Sequence, residues 1–216
     1  SILVTLIAVL IALPLGVATA VFVREVAPHW AREILKPLIE VLAGIPSVVL
    51  GFFGMTLVAP FIREAFGAPT GLTAFTGALL LAYMSLPTVI SVAEDALDAV
   101  PRSYRDASLA MGATRWQTIW RVLIPAAKSG IVASIILGMG RAIGETMAMI
   151  MILGNAVKMP SSFLDSSRTL TTNIGIEMGY ASGDHRQALF ATGVVLFFII
   201  MILNSLAIFL SRRRAG

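Results

Sequence analysis

The amino-acid sequence predicts an all-α membrane protein, and three of its properties support this class. Of 216 residues, 57% are hydrophobic and only 13% are charged, whereas roughly 25% of residues are charged in an average soluble domain. The apolar residues are grouped in runs of about 20, which is the length that a helix needs to cross a bilayer. The 18 glycines and 10 prolines suit membrane helices, because neighbouring segments can satisfy the backbone groups that these residues free.

Five apolar stretches are long enough to cross the membrane as helices. They cover residues 1–23, 38–62, 71–93, 129–154 and 188–210. Pro14, Pro46 and Pro87 fall inside three of them, where each removes a backbone hydrogen bond and can kink the helix. Five crossings place the two ends of the chain on opposite sides of the membrane.

The distribution of lysines and arginines predicts the orientation, because cytoplasmic connectors retain positive charge. Of the 16 lysines and arginines, eleven lie in the connectors 24–37 and 94–128 and at the C-terminus, four lie in 63–70 and 155–187, and Arg141 lies inside a crossing. We therefore expect a cytoplasmic C-terminus and an extracytoplasmic loop at 155–187. Because a chain that starts outside usually has an earlier crossing, we also expect a sixth, N-terminal helix that this sequence lacks.

The residue types argue against several kinds of chemistry. The chain has no cysteine, so disulfides, thiolate nucleophiles and Cys-ligated metals are excluded. Its two histidines, His29 and His185, have no paired ligand spacing and predict no metal site. The sequence also has no phosphate-binding loop of the form Gly-x4-Gly-Lys-Ser/Thr, so we expect no ATPase site and no bound cofactor in this chain. The net charge of +4 belongs to the connectors and predicts no nucleic-acid partner.

The connector 94–128 has the signals of two short helices. Pro101 suits the first turn of one helix, and Gly112 suits the left-handed residue that ends it. Thr114 can cap the next helix, which we expect Pro125 to end. The apolar residues of this segment require a surface to cover them, which could be the lipid headgroups or a soluble subunit.

The spacing within this connector resembles the cytoplasmic EAA signature of ABC-importer permeases. The family pattern is Glu-Ala-Ala, three residues, Gly, nine residues, Ile, one residue, Leu-Pro. This chain has Asp106-Ala107-Ser108, then Gly112, Val122 and Ile124-Pro125 at the same spacing. The resemblance implies that 94–128 is a coupling loop that docks on an ATP-binding subunit. It further implies that Asp106 pairs with a basic group of that subunit and that Gly112 permits the turn.

Two charged residues lie near the middle of the fourth predicted crossing. Arg141 and Glu145 are four residues apart and would share one face of a helix. A charged residue at a helix centre costs roughly 2.5–3.5 kcal/mol on insertion scales, so the pair must face protein or water. Two interpretations remain open: a structural ion pair between helices, or an anion site on a translocation path.

Glu145 suggests which anion such a path would accept. Hydrogen phosphate keeps a proton to donate near neutral pH, because its second ionisation lies near pH 6 to 7, and sulfate has no such proton. A carboxylate beside the arginine accepts a hydrogen bond from phosphate but repels sulfate. Phosphate is therefore the hypothesis that the pair favours.

A second resemblance concerns three further segments. Gly140-Arg-Ala-Ile-Gly-Glu-Thr-Met-Ala148, then Gly154-Asn155, and Ile45-Pro-Ser-Val-Val-Leu-Gly51 resemble the PstC-type permeases of phosphate ABC importers. With the EAA-like loop, this likeness covers nearly the whole chain. It implies the type I ABC-importer permease fold with six helices, formed by 1–216 as a single transmembrane domain. It also implies that Ser47 and Thr146 join Arg141 and Glu145 on the substrate path.

The same likeness implies a set of partners. These are a second permease subunit of the PstA type, two ATP-binding subunits that hold ATP and magnesium, and an extracytoplasmic phosphate-binding protein that could be received by 155–187. The complex would lie in the inner membrane of a bacterium or archaeon. The chain itself would contribute alternating access, without covalent chemistry.

Three alternatives remain open from the sequence. The same machine could carry sulfate, molybdate or tungstate, since permeases for sulfate and molybdate share an Arg-Ala-x-Gly-Glu core. The intramembrane carboxylate could instead carry protons in an ion-coupled secondary transporter. The third alternative is a structural or receptor membrane protein, in which Arg141 serves assembly alone.

Overall fold

The structure is a computed structural model that describes residues 1–213. Its helices are α1 (Ile2–Val26), α2 (His29–Gly44), α3 (Ser47–Phe66), α4 (Ala74–Asp98), α5 (Arg102–Ala110), α6 (Arg115–Ala126), α7 (Lys128–Gly144), α8 (Met147–Ile152), α9 (Leu170–Glu177) and α10 (Gly183–Arg213). Within 1–213 the β-structure is limited to an isolated bridge between Gly154 and Ser167. The predicted all-α class is therefore confirmed. Arg214, one of the C-terminal cations counted above, lies outside the described residues.

Four of these helices are long and apolar enough to cross a membrane. They are α1, α3, α4 and the part of α10 that ends at Leu206. The pair formed by α6 and α7 passes the same test only when it is counted as one span, and it is bent by 69°. The described residues thus provide four crossings, or five with the bent pair.

The second predicted crossing is wrong at its start. It was expected at 38–62, but α2 ends at Gly44 and α3 begins at Ser47. Pro46 is extended, with φ −58° and ψ 135°, and a proline disfavours the helical conformation of the residue before it. The helix break at Ile45 and Pro46 therefore separates the crossing from α2, in which no residue is buried.

The fourth predicted crossing is wrong in its continuity. A single helix was expected over 129–154, but α7 ends at Gly144 and α8 begins only at Met147. We call residues Glu145 and Thr146 the α7–α8 break. Its physical cause is a side-chain cap on α8, which is described with the candidate site below.

The chain divides into two compact units. The first consists of residues 1–11, 45–85 and 139–206. Its core is built on α8 and the residue after it, where Met149, Ile152 and Leu153 are at most 1% exposed. A methyl group added at Gly51 of α3 would lie 2.9 Å from the Cα of Ala148 in α8. The glycine thus permits α3 to pack directly on the backbone of α8.

The second unit contains residues 12–44, 86–138 and the described residues from 207 onward. Its core joins the later part of α1, the later part of α4, α6 and the start of α7. The buried core residues are Ala20, Val21, Ile90, Ala93, Leu97, Ile119, Leu123, Ala127 and Ile131. Two ion pairs add to this packing, one between Arg24 and Asp98 and one between Arg105 and Glu25.

Two glycines of α7 provide a matched test of this packing. An alanine Cβ at Gly130 would overlap the Cβ of Ala96 in α4, whereas one at Gly140 would have no atom within 4 Å. We expect Gly130→Ala to lower the free energy of unfolding by about 1–3 kcal/mol, the usual cost of overpacking. Gly140→Ala should be neutral or slightly stabilising, because alanine has the higher helix propensity. Thermal unfolding of the purified transporter in detergent measures both, and equal midpoints would contradict the close contact of α7 with α4.

Candidate functional site

The α7–α8 break places Arg141 and Glu145 differently from the sequence prediction. Arg141 lies in the last turn of α7, whereas Glu145 is the first residue after that helix ends at Gly144. The two residues therefore do not share the face of one continuous helix, and this part of the prediction is wrong. Both side chains are half-buried. The site is better described as an arginine at a helix end followed by a carboxylate in irregular backbone.

The carboxylate of Glu145 caps the start of α8. Its Oε1 atom accepts hydrogen bonds from the backbone amides of Thr146, at 3.1 Å, and Ala148, at 3.2 Å. The first amides of a helix have no partner inside the helix, and a negative charge is favourable there. Within residues 1–213, Oε2 of Glu145 makes no hydrogen bond of its own. One oxygen of this carboxylate thus holds the backbone, and the other remains available.

Helix α9 supports the α7–α8 break from the predicted outer segment. The hydroxyl of Thr171 donates to the backbone carbonyl of Glu145 at 3.1 Å. A methyl group added at Gly175 would lie 2.9 Å from Cγ2 of Thr146, so α9 approaches the break closely. These two contacts fix the backbone on which Glu145 and Thr146 sit. The sequence analysis did not predict a role for Thr171 or Gly175 of α9.

A capping box starts α9, and its two threonines are the feature of the sequence that could have predicted this helix. The hydroxyl of Thr169 accepts from the amide of Thr172, and the hydroxyl of Thr172 accepts in turn from the amide of Thr169. Such a pair of polar residues three apart is typical of a helix start. It was overlooked because the segment is short and follows a loop rich in serine.

Ser47 lies in the same unit, on the first turn of α3. Gly51 of α3 contacts Ala148 of α8, and Gly54 lies within van der Waals reach of Ile152. The two contacts advance along both helices in the same sense, so α3 and α8 run parallel. Ser47 is one turn before Gly51, which places it at the level of the α7–α8 break. The structure therefore brings together two of the three segments of the second resemblance, 45–51 and 140–148.

The connector 94–128 forms the two short helices that were predicted. α5 ends before Gly112, whose φ of +82° is left-handed. α6 starts with a capping box in which Thr114 accepts from the amide of Gln117 at 3.2 Å and donates its own amide to the Gln117 side chain at 2.9 Å.

The prediction that Pro125 ends the second helix is wrong, since α6 continues to Ala126. Pro125 follows a π-helical turn, Ile119–Leu123, in which the amide of Ile124 donates to the carbonyl of Ile119 five residues back. This wider turn changes the hydrogen-bond register immediately before a residue that has no amide to donate.

The predicted coupling residues differ in exposure. Asp106, Ala107 and Gly112 are exposed. Ser108 is half-buried, and its hydroxyl lies 3.0 Å from that of Thr118, so it holds α5 against α6. Ser108 thus has a contact within the chain.

Large apolar side chains are exposed beside the turn between α5 and α6. Met111 is 88% exposed, and Trp116 and Trp120 form an edge-to-face pair with their ring centroids 5.7 Å apart. Apolar groups in this arrangement are typical of a surface that another molecule covers.

The segment 155–187 contains a polar network as well as α9. Glu177 pairs with Arg168 through one oxygen and with His185 Nε2 through the other, at 3.1 Å. Hydrogen bonds from the hydroxyl of Ser161, its amide and the amide of Ser162 lower the pKa of Asp165. These contacts order the loop. Among the described residues, no group of three or more His, Asp or Glu side chains could hold a metal ion.

Comparison with known proteins relates this architecture to transport. The family model for "Binding-protein-dependent transport system inner membrane component" matches residues 4–216. "Probable ABC transporter permease protein YqgH" of Bacillus subtilis is 43% identical over 98% of this chain and 69% of that protein. "Phosphate transport system permease protein PstC" of Pasteurella multocida is 34% identical over 93% of this chain and 68% of that protein.

Solved structures agree on the fold. A chain of the MetNI methionine ABC transporter, in an inward-facing conformation, superposes with a TM-score of 0.70 over 98% of this chain and 89% of that one, at 20% identity. A chain of an amino acid ABC transporter with histidines gives a TM-score of 0.62 over 97% and 88%, at 19% identity. The predicted ABC-importer permease fold is therefore confirmed.

The support that α9 gives to the α7–α8 break can be tested with Thr171→Val. This change removes the hydroxyl that bonds the Glu145 carbonyl and keeps the shape of the side chain. A lost hydrogen bond costs about 1 kcal/mol, so the amide of Ala148 should exchange about fivefold faster with solvent deuterium. The control is Thr192→Val, since the exposed hydroxyl of Thr192 bonds only within α10, to Ala188. Equal exchange at Ala148 in both variants would contradict the supporting role of α9.

Proposed function

This chain belongs to the binding-protein-dependent transport system inner membrane component family, and we propose that it is the permease subunit through which an ABC importer carries phosphate. Membership of the family makes it a permease component of an ABC importer. The choice of phosphate is supported by relatives named as phosphate transport permeases at 30–34% identity. It is supported independently by the chemistry of Glu145.

The single observation that carries the proposal is that only one oxygen of the Glu145 carboxylate, Oε1, accepts the backbone hydrogen bonds of the cap. Because Oε1 is held by two backbone amides, the direction of Oε2 is fixed by the cap on α8. A fixed carboxylate oxygen that carries a negative charge accepts a hydrogen bond from the P–O–H group of hydrogen phosphate and repels an anion that has no proton. The guanidinium of Arg141, one turn earlier, supplies the attraction for the anion.

The surroundings of Glu145 complete the proposed path. Thr146 has a half-buried side chain, and Ser47 lies at the same level on α3. The hydroxyl of Ser47 can donate to a phosphate oxygen, whereas that of Thr146 donates to the carbonyl of Gly144 and can accept from a protonated phosphate oxygen. Irregular backbone at membrane depth is tolerated where it is buried in protein or lines a water-filled cavity, and the half-buried side chains of Arg141 and Glu145 suit the second situation.

The exposed face of α5 and α6 is the proposed docking surface for the ATP-binding subunits. Asp106 is exposed and has no ion-pair partner among residues 1–213, so it is available to a basic group of a partner. The exposed Met111 and tryptophan pair supply apolar area. Two ATP-binding subunits with their ATP and magnesium, a second permease subunit of the PstA type and a phosphate-binding protein on 155–187 complete the proposed importer, with the C-terminus in the cytoplasm.

Glu145→Gln tests the selectivity argument. Glutamine can keep the cap through its amide oxygen, but it replaces the second carboxylate oxygen with an NH₂ donor. We expect the preference for phosphate over sulfate to fall by about tenfold, which corresponds to one discriminating interaction of about 1.4 kcal/mol. The measurement is ATP-dependent uptake of labelled phosphate and sulfate by the complete transporter in vesicles.

The control for this experiment is Glu64→Gln, because Glu64 is an exposed carboxylate of α3. It should leave both uptake rates unchanged. If the Glu145→Gln transporter prefers phosphate over sulfate as strongly as the parent does, the proposed hydrogen bond from phosphate to Glu145 does not determine selectivity. If the parent transporter carries sulfate, molybdate or tungstate in preference to phosphate, the choice of anion is wrong.

Gly112→Asp tests the docking surface, with Gly67→Asp as its matched control. Both glycines are left-handed, with φ of +82° and +63°, and neither has an atom within 4 Å of an added Cβ. The backbone strain of about 1–2 kcal/mol is therefore similar at both positions. We expect Gly112→Asp to lose co-purification of the ATP-binding subunits and ATP-dependent uptake, and Gly67→Asp to keep both. Uptake that continues without ATP would instead support a secondary transporter.

A further inference from the structure

A basic cavity lies within the second unit, apart from the residues of the proposed substrate path. It has a volume of 160 Å³, and its polar lining comes from Arg24, Arg32, Arg102 and Arg105, with Pro101 at one edge. These residues come from the end of α1, from α2 and from the start of α5. No carboxylate is part of the lining. Four guanidinium groups thus meet in one small space.

Half of this charge is balanced by carboxylates beside the cavity. Arg24 pairs with Asp98, and Nη2 of Arg105 lies 2.5 Å from both carboxylate oxygens of Glu25. Arg32 donates to the backbone carbonyls of Val23 and Arg24 and, among the described residues, to no acid. Arg102 has no ion-pair partner within residues 1–213. Two of the four cations therefore face the cavity without a counter-charge.

The cavity also presents donors that lack acceptors. The Nε atom of Arg24 is buried and makes no hydrogen bond among the described residues. The start of α5 carries no side-chain cap, because Pro101 stands at the capping position. A buried donor without a partner is costly, and an uncapped helix start favours an anion. Both observations favour the binding of an anionic acceptor in the cavity.

We propose that this cavity binds a phosphate group, either as free phosphate or as the headgroup of an anionic lipid. Guanidinium groups bind phosphate oxygens in a planar, two-pronged geometry, and a phosphate group can accept from several arginines on different sides at once. A volume of 160 Å³ is well above the minimum of about 10–15 Å³ that one water needs, so the cavity has room for an anion with five heavy atoms.

Bound phosphate would join three elements of the second unit. It would connect Arg24 on α1, Arg32 on α2 and the start of α5 at Arg102, and it would accept from the uncapped amides of that helix start. The effect is local, and it does not depend on which anion the importer carries. The readout should therefore be local to residues 102–105 and independent of transport.

Amide hydrogen exchange of the complete transporter provides this readout. In phosphatidylcholine nanodiscs, phosphate at ten times its Kd should slow exchange at residues 102–105 by about tenfold, by mass action. Sodium chloride at equal ionic strength should not. In phosphatidylglycerol nanodiscs without phosphate, the same protection would identify a lipid headgroup as the source.

Three variants decide whether the protection belongs to the cavity. The Arg102→Gln transporter should need about tenfold more phosphate for the same protection of the amides of residues 102–105, since the change removes one charge-assisted contact. If the ligand is a lipid headgroup, the same change should abolish the protection by phosphatidylglycerol. Because Arg102 contacts no other described side chain through a hydrogen bond or ion pair, its replacement should not unfold the protein. Arg102→Lys keeps the charge and should retain part of the effect, and Arg121→Gln removes an exposed arginine outside the lining and should match the parent.

The outcomes separate clearly. Protection by phosphate alone, lost in Arg102→Gln, supports the site with free phosphate as its ligand, and protection by phosphatidylglycerol alone supports it with a lipid headgroup. Absence of protection under both conditions would overturn the proposal. Equal weakening by Arg102→Gln and Arg121→Gln would also overturn it, because it would show diffuse charge attraction in place of a built site.

Discussion

The hydrogen bonds from the amides of Thr146 and Ala148 to Glu145 are the interaction on which the candidate site depends. They end one helix and start the next inside a strongly apolar stretch. In a bilayer, every freed backbone group needs a partner, so a break of this kind persists only with a capping side chain and neighbouring support. Thr171 provides that support at the Glu145 carbonyl. The carboxylate therefore caps α8, and in the proposed path it also contacts the substrate.

A second helix break, at Ile45 and Pro46, places the start of α3 beside the candidate site. Pro46 separates α2 from α3, and α3 then packs parallel to α8 through Gly51 and Gly54. Because α3 and α8 run parallel, their first turns lie beside each other at the level of the α7–α8 break. Helix starts attract anions, although α8 has already used its amides on Glu145. The start of α3 has no side-chain cap, so its first amides and the guanidinium of Arg141 are the groups that remain for the proposed attraction of a substrate anion.

The sequence predicts much of the fold, because hydropathy and turn residues are local signals. The membrane class, the helices around Gly112 and the Thr114 cap follow from such signals. The α7–α8 break does not, since Gly144, Glu145 and Thr146 include no proline and the surrounding residues continue the apolar pattern. Only the direction of the Glu145 side chain shows that it caps a new helix. Pro46 was recognised as a kink, but its effect on Ile45 was underestimated.

The four arginines of the cavity show a second reason why the sequence does not predict the whole structure. Arg24, Arg32, Arg102 and Arg105 enter the orientation count as four equal charges in cytoplasmic connectors. In the folded second unit they line a single cavity, although 70 positions separate Arg32 of the first pair from Arg102 of the second. A count of charges per connector is the same whether they point to solvent or converge on one ligand. Their convergence is a property of tertiary packing between α1, α2 and α5, which brings like charges together only where a counter-charge can offset their repulsion.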